Sequence, residues 1–107
     1  MAQYKFSRCI SIETPDSEAA AKFYQDVLGM EFSARGDTWV ELKANDRLLY
    51  FDKGEKHQTV FEFVVDDLDE ARRDLESHGC TMVRWEGKGK PCYMRDPFGN
   101  VFNLYQE

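Results

Sequence analysis

Arg95-Asp96-Pro97-Phe98-Gly99-Asn100-Val101-Phe102-Asn103-Leu104-Tyr105 holds a turn and a strand. Asp, Pro and Gly at the first, second and fourth places of 96–99 specify a type I turn: Asp caps it, Pro presets φ, and Gly takes the left-handed position that follows. Beyond the turn, Val101, Asn103 and Tyr105 alternate with Phe102 and Leu104, the period of a two-faced strand. One face is apolar. The other carries an amide and a phenol, and such a face meets either solvent or a cavity. A cavity is the expectation tested against the rest of the chain.

The chain has 107 residues, enough for a single domain with a real core. With 42% hydrophobic and 14% aromatic residues its composition is that of a soluble fold. No apolar run reaches membrane length and no signal-peptide pattern opens the chain, so a cytoplasmic protein with no membrane contact is expected. The net charge of -6 argues against nucleic acid, which needs a basic footprint, and is compatible with a cationic or neutral small ligand. Cys9, Cys80 and Cys92 are odd in number and form no CxxC pair, so they are expected as buried free thiols.

Residues 4–13 end in alternation, with Ile10 and Ile12 on one face and Cys9, Ser11 and Glu13 on the other. Asp16 or Ser17 caps a helix whose apolar face is read as Ala20, Phe23, Tyr24, Val27 and Leu28, with Gly29 closing it. Strands are expected at 30–34, 38–43 and 47–52. In the last two, Val40, Leu42, Leu49 and Phe51 share one face, and Trp39, Glu41, Leu48 and Tyr50 the other. Residues 53–58 read as an exposed linker. The pattern then restarts. Val60, Glu62 and Val64 alternate with Phe61, Phe63 and Val65; Asp67 caps a helix carrying Leu68, Ala71 and Leu75; Gly79 ends it; strands are expected at 81–86, 91–95 and 100–105.

A shift of fifty-one residues superposes the halves. Cys9 meets Val60, Ser11 meets Glu62, Asp16 meets Asp67 and Ala20 meets Ala71. Each half is a strand, a helix and three strands. Neither has a sheet large enough to bury both faces. The expected fold is therefore α+β: one domain over 1–107 of two tandem βαβββ modules (module one 4–52, linker 53–58, module two 59–107), their curved sheets enclosing a cleft. Pairing of the modules within one chain and by exchange across a dimer are both open at this point.

Asp16 through Gly29, with Phe23-Tyr24 and Val27-Leu28-Gly29, the turn Asp96-Pro97-Phe98-Gly99-Asn100 and the doubled βαβββ pattern resemble the vicinal oxygen chelate superfamily. That superfamily contains glyoxalase I, extradiol dioxygenases, fosfomycin-resistance enzymes and bleomycin-resistance binding proteins. The resemblance spans nearly the whole chain and is specific for fold, while reaction differs among members. It implies a divalent metal held by His and Glu from the first and last strands of each module. The positions that match here are Cys9, Tyr50, Val60 and Asn103. Val cannot ligate, Asn is a weak neutral donor, the phenol is protonated near neutral pH, and a lone thiol suits the hard donor set poorly. His57 and His78 read as solvent-exposed.

The residues expected to contact a ligand are Cys9, Ser11, Glu13, Trp39, Glu41, Tyr50, Val60, Glu62, Asn103 and Tyr105. Trp39, Tyr50, Trp85, Tyr93 and Tyr105 supply aromatic surface with polar tips, with Trp85 alternatively covering a dimer seam. Glu62 stands on an apolar strand, where desolvation would raise its pKa; an ion pair with Arg8 or Arg84, or simple exposure at a sheet edge, is the competing reading. Cys9 has no activating group by pattern, and no catalytic residue is assigned. The expected function is metal-independent and cofactor-free binding of a small organic molecule by a homodimer, as in the drug-sequestering members. The alternatives are a glyoxalase- or dioxygenase-like enzyme with Mn, Fe, Ni or Zn in an atypical site built from the glutamates, and a homologue whose work is a protein contact.

Overall fold

The computed structural model describes residues 3–107. In chain order it contains β1 (Lys5–Thr14), α1 (Ser17–Asp26), β2 (Glu31–Arg35), β3 (Trp39–Ala44), β4 (Arg47–Lys53), β5 (Gln58–Val65), α2 (Leu68–Ser77), β6 (Thr81–Trp85), β7 (Cys92–Arg95) and β8 (Val101–Gln106). This is the α+β order of two βαβββ modules. Packing divides the chain into two compact units, Arg8–Val60 and the residues up to Ser7 together with Phe61–Glu107. The division falls inside β1 and β5, so the start of β1 packs with module two.

In the unit Arg8–Val60 the strand order is β2-β3-β4-β1. The β2–β3 and β3–β4 pairs are antiparallel, and β4 runs parallel to β1. A parallel pair needs a crossover, which α1 and two strands supply. Asp16 caps α1 by accepting a hydrogen bond from the Ala19 amide at 3.0 Å, and Gly29 leaves the helix region at φ 76°. The apolar side of α1 sits on Val40, Leu42 and Phe51, with Ile12, Ala20, Tyr24, Met30 and Leu49 around them. Phe23, Val27 and Leu28, expected in that apolar face, are exposed instead. The helix buries the stripe Ser17, Ala20, Ala21 and Tyr24, which is offset from Phe23; Val27 is the C-cap, its amide still donating to Phe23 O at 2.9 Å, and Leu28 lies beyond the last turn.

In the second unit the order is β5-β8-β7-β6, with β5 parallel to β8 and the other pairs antiparallel. Asp67 caps α2 through the Glu70 amide at 3.1 Å. Leu68 and Ala71 of α2 pack with Val65, Cys80, Cys92, Met94 and Leu104, flanked by Phe63, Leu75, Trp85 and Phe102. Trp85 thus belongs to the helix side of the sheet and not to the polar face. A bulge between Met82 and Arg84 shifts its parity. Phe61, expected under the helix, is exposed on one side and packs with Phe63 around Phe6, at 5.6 and 5.5 Å between ring centres. The expected turn at 96–99 forms: the Gly99 amide donates to Asp96 O, and Asp96 Oδ1 accepts from the Phe98 and Asn100 amides at 2.8 and 2.9 Å.

Residues 53–58 are less of a linker than composition suggests. Lys53 completes β4 and its amide donates to Thr38 O at 2.8 Å, while Gln58 opens β5. Polar residues at these strand ends satisfy their backbone groups by pairing, which composition does not reveal.

Candidate functional site

In each unit the strands have one face under the helix and one face free of it, and strand register sorts the candidate residues. On module one, Ser11 stands opposite Tyr50 and Tyr50 opposite Glu41; the next row is Glu13, Asp52 and Trp39; Cys9 lies opposite Leu48 on the other side. Cys9, Ser11, Glu13, Trp39, Glu41 and Tyr50 therefore share the face away from α1, as their parity implied.

Hydrogen bonds tie this face together. Glu41 Oε2 accepts from the Ser33 hydroxyl at 2.8 Å. Ser33 is the extra residue of a bulge between Phe32 and Ala34, which turns its side chain toward Glu41. The Ser11 hydroxyl donates to Asp52. Glu13 accepts from the Gln58 amide at 2.9 Å and from the Lys56 backbone at 3.4 Å. Burial, hydrogen bonding to Glu41 and the nearby Cys9 push the Tyr50 phenol well above its ordinary pKa, so its proton stays on.

Two glycines shape the aromatic end. The Trp39 indole lies against Gly36: a Cβ built there would come within 2.2 Å of Nε1. A Cβ at Gly54 would strike the Glu13 carboxylate, also at 2.2 Å. The Trp39 and Tyr50 rings stand 5.8 Å apart at 55°. Trp39 is thereby fixed between a bare backbone and a second ring, with carboxylates in its own row and the next.

On module two the corresponding row is Glu62, Asn103, Tyr93 and Arg84. Glu62 faces Asn103 as Ser11 faces Tyr50, so register makes Tyr50 the counterpart of Asn103. Ser7, at the start of β1, donates to Glu62 Oε1 at 2.7 Å. Burial raises the Glu62 pKa, and the Ser7 hydrogen bond offsets part of that rise. The Arg84 guanidinium lies 4.6 Å from the centre of the Tyr93 ring, a cation–π contact, and makes no ion pair with Glu62. Asn103 is 4% exposed, and among the described residues its Oδ1 has no hydrogen-bond partner. Tyr105 is on the same strand face and exposed, whereas Val60 is fully buried and offers only methyl groups.

Ser7, Ser33, Asp52, Gln58 and Arg84 complete these two faces and were absent from the residues expected to contact a ligand, while Tyr93 had been expected as aromatic surface. Ser7 and Asp52 were legible in the sequence, since they share the parity of Cys9 and Tyr50. Ser33 was not, because a bulge breaks parity.

The metal implied by the superfamily resemblance does not fit these residues. Val60 has no donor atom, Tyr50 holds its proton, and Asn103 brings a neutral amide. Glu13 and Glu41 are engaged by Gln58 and by Ser33 and Tyr50. Among the described residues, no three His, Cys, Asp or Glu side chains converge as a metal would require. His57 and His78 are exposed, and His78 Nδ1 lies 2.9 Å from the Asp74 carbonyl.

Comparison with known proteins agrees with this architecture. The glyoxalase-like domain family matches residues 9–105. Among solved structures, homoprotocatechuate 2,3-dioxygenase from Brevibacterium fuscum, in complex with 3,4-dihydroxyphenylacetate, has a TM-score of 0.73 at 22% identity, covering 98% of this chain and 37% of its own. The enzyme of that name from Arthrobacter globiformis scores 0.73 at 20% identity, with the same two coverages. A hypothetical protein from Bacillus halodurans C-125 scores 0.73 at 10% identity and is covered over 94% of its length. The chain spans about a third of the dioxygenases, and at these identities the likeness is one of fold. No curated protein matches the chain.

Proposed function

The chain belongs to the glyoxalase-like domain family, and from that premise we propose that it binds a small organic cation without a metal, in the manner of a sequestering protein. The observation that carries the reading is the Trp39–Tyr50 pair, held against Gly36 and flanked by Glu41, Glu13 and Asp52. An aromatic face attracts a cation through its quadrupole, and nearby carboxylates add a negative field; together they suit a planar or quaternary nitrogen compound. The carboxylates are already oriented by Ser33, Ser11 and Gln58, so little ordering is needed when a ligand arrives. Ser11 and Cys9 supply the polar floor beside Tyr50.

The donor set supports binding over metal chemistry, because the positions where the superfamily places ligands carry Val60, Tyr50 and Asn103. A homodimer in the cytoplasm is part of the proposal, and the exposed Phe23, Val27, Leu28 and Phe32 are the apolar surface that a second copy would cover. Among the described residues no helix is long and apolar enough to cross a membrane.

The test is a fluorescence titration of a Trp85→Phe variant, in which Trp39 is the remaining indole. Aromatic and quaternary cations should quench it saturably, and Glu41→Gln should weaken the response. A panel of such cations that leaves Trp39 unperturbed would refute the reading.

A further inference from the structure

The two faces differ in one respect that bears on what module two recognises. On module one every carboxylate of the face is hydrogen-bonded by its own neighbours: Glu41 by Ser33 and Tyr50, Asp52 by Ser11, Glu13 by Gln58. On module two two acceptors are left over. Among the described residues Glu62 receives a single hydrogen bond, from Ser7 to Oε1, which leaves Oε2 open. Asn103, directly opposite Glu62 on the parallel strand β8, is 4% exposed, and its Oδ1 has no hydrogen-bond partner among the described residues. A buried acceptor without a donor is costly, and native proteins seldom keep one without a use. Side chains on register partners of adjacent strands stand about 5 Å apart, so one small planar group can reach both.

We propose that Glu62 and Asn103 form a two-acceptor site for an amidinium or guanidinium group. The carboxylate takes one N–H together with the positive charge, and the Asn103 carbonyl takes a second N–H. Two features favour this class over other cations. The group is planar and carries N–H donors on neighbouring nitrogens, which match two acceptors side by side. A quaternary ammonium brings charge but no donor and leaves Asn103 unsatisfied. The protein's own guanidinium in this row does not fill the site, since Arg84 is stacked on Tyr93. The inference goes beyond the function proposed above and is carried by other residues, so either can fail alone.

The experiment compares benzamidine with phenyltrimethylammonium, two cations with the same ring, one with N–H donors and one without. The side-chain amide signal of Asn103 is followed in ¹H–¹⁵N spectra, and affinities are taken from the same titrations. The expected result is a benzamidine-specific shift of the Asn103 amide and a preference for benzamidine of at least about tenfold. Asn103→Leu should abolish that preference, and Asn103→Asp, which adds a second charge, should strengthen benzamidine binding. An unmoved Asn103 signal at saturating benzamidine, equal affinities, or a preference that survives Asn103→Leu would overturn the proposal. So would an ordered water that satisfies Asn103 and is not displaced. Should Asn103→Leu fail to fold, the wild-type shift and Asn103→Asp decide the question.

Discussion

The Ser7 hydroxyl donates to Glu62 Oε1 at 2.7 Å, and Ser7 is itself only 6% exposed. A residue from the start of the chain thus steadies a half-buried carboxyl on β5, between Phe61 and Phe63. Burial outweighs that single hydrogen bond, so the Glu62 pKa lies above its unfolded value. An acid raised in this way costs stability once it ionises: the protein loses stability as pH rises from the unfolded pKa of about 4.5 through the folded one. Glu62→Gln should therefore be more stable than the parent at neutral pH, with the difference vanishing in acid. Urea unfolding at several pH values measures it. A variant less stable at neutral pH would show that the charge is favoured in place.

Asp96 behaves in the opposite sense. Amide donors from Asn100, Phe98 and Gly99 hold its pKa below the ordinary value, with the Asn100 backbone the largest cause. Its contribution is full above the unfolded pKa and is lost as pH falls through the depressed one. Asp96→Ala should destabilise the protein at neutral pH and flatten the acid limb of the stability profile. Thermal unfolding between mildly acidic and neutral pH shows whether the limb changes.

Gly36 is where the aromatic face is fixed. Gly36→Ala places a methyl on the Trp39 indole, 2.2 Å from Nε1 and 2.4 Å from Cε2, so the ring must move. A cost of about 1–3 kcal/mol is expected for such overpacking. Near-UV circular dichroism should lose part of its tryptophan signal, and cation binding at Trp39 should weaken. An unchanged spectrum would mean that the indole is not held against this backbone.

The cores of the two units make separate stability predictions. Phe51 beneath α1 and Leu104 beneath α2 are both 0% exposed. Phe51→Ala should cost about 3–5 kcal/mol and Leu104→Ala about 2–5 kcal/mol. Chemical denaturation gives both values, and a loss below about 1 kcal/mol at either site would contradict the packing described.

Much of this was legible in the amino-acid order because each element is marked by its own chemistry. Asp16 and Asp67 mark helix starts, Gly29 and Gly79 helix ends, and period-two alternation separates Ile12 from Glu13 and Leu104 from Asn103. The fifty-one-residue repeat followed from those marks. What was not legible depends on partners distant in sequence. Parity fails at bulges, which hid Ser33 and turned Trp85 onto the helix side. Helical spacing placed Phe23 inside and strand alternation placed Phe61 under the helix, although the buried stripe of α1 is offset from the first and Phe6 covers only part of the second. The Ser7–Glu62 bond joins residues fifty-five positions apart, and no reading of Glu62 from the sequence had named Ser7 as its partner.

The central claim is that a small organic cation binds at Trp39 and Tyr50 without a metal. The most direct measurement is the Trp39 titration with phenyltrimethylammonium on protein stripped by chelation, repeated after Mn, Fe, Ni or Zn is restored. Saturable quenching of equal midpoint in all samples is the predicted result. Quenching that appears only when a metal is restored would contradict the account.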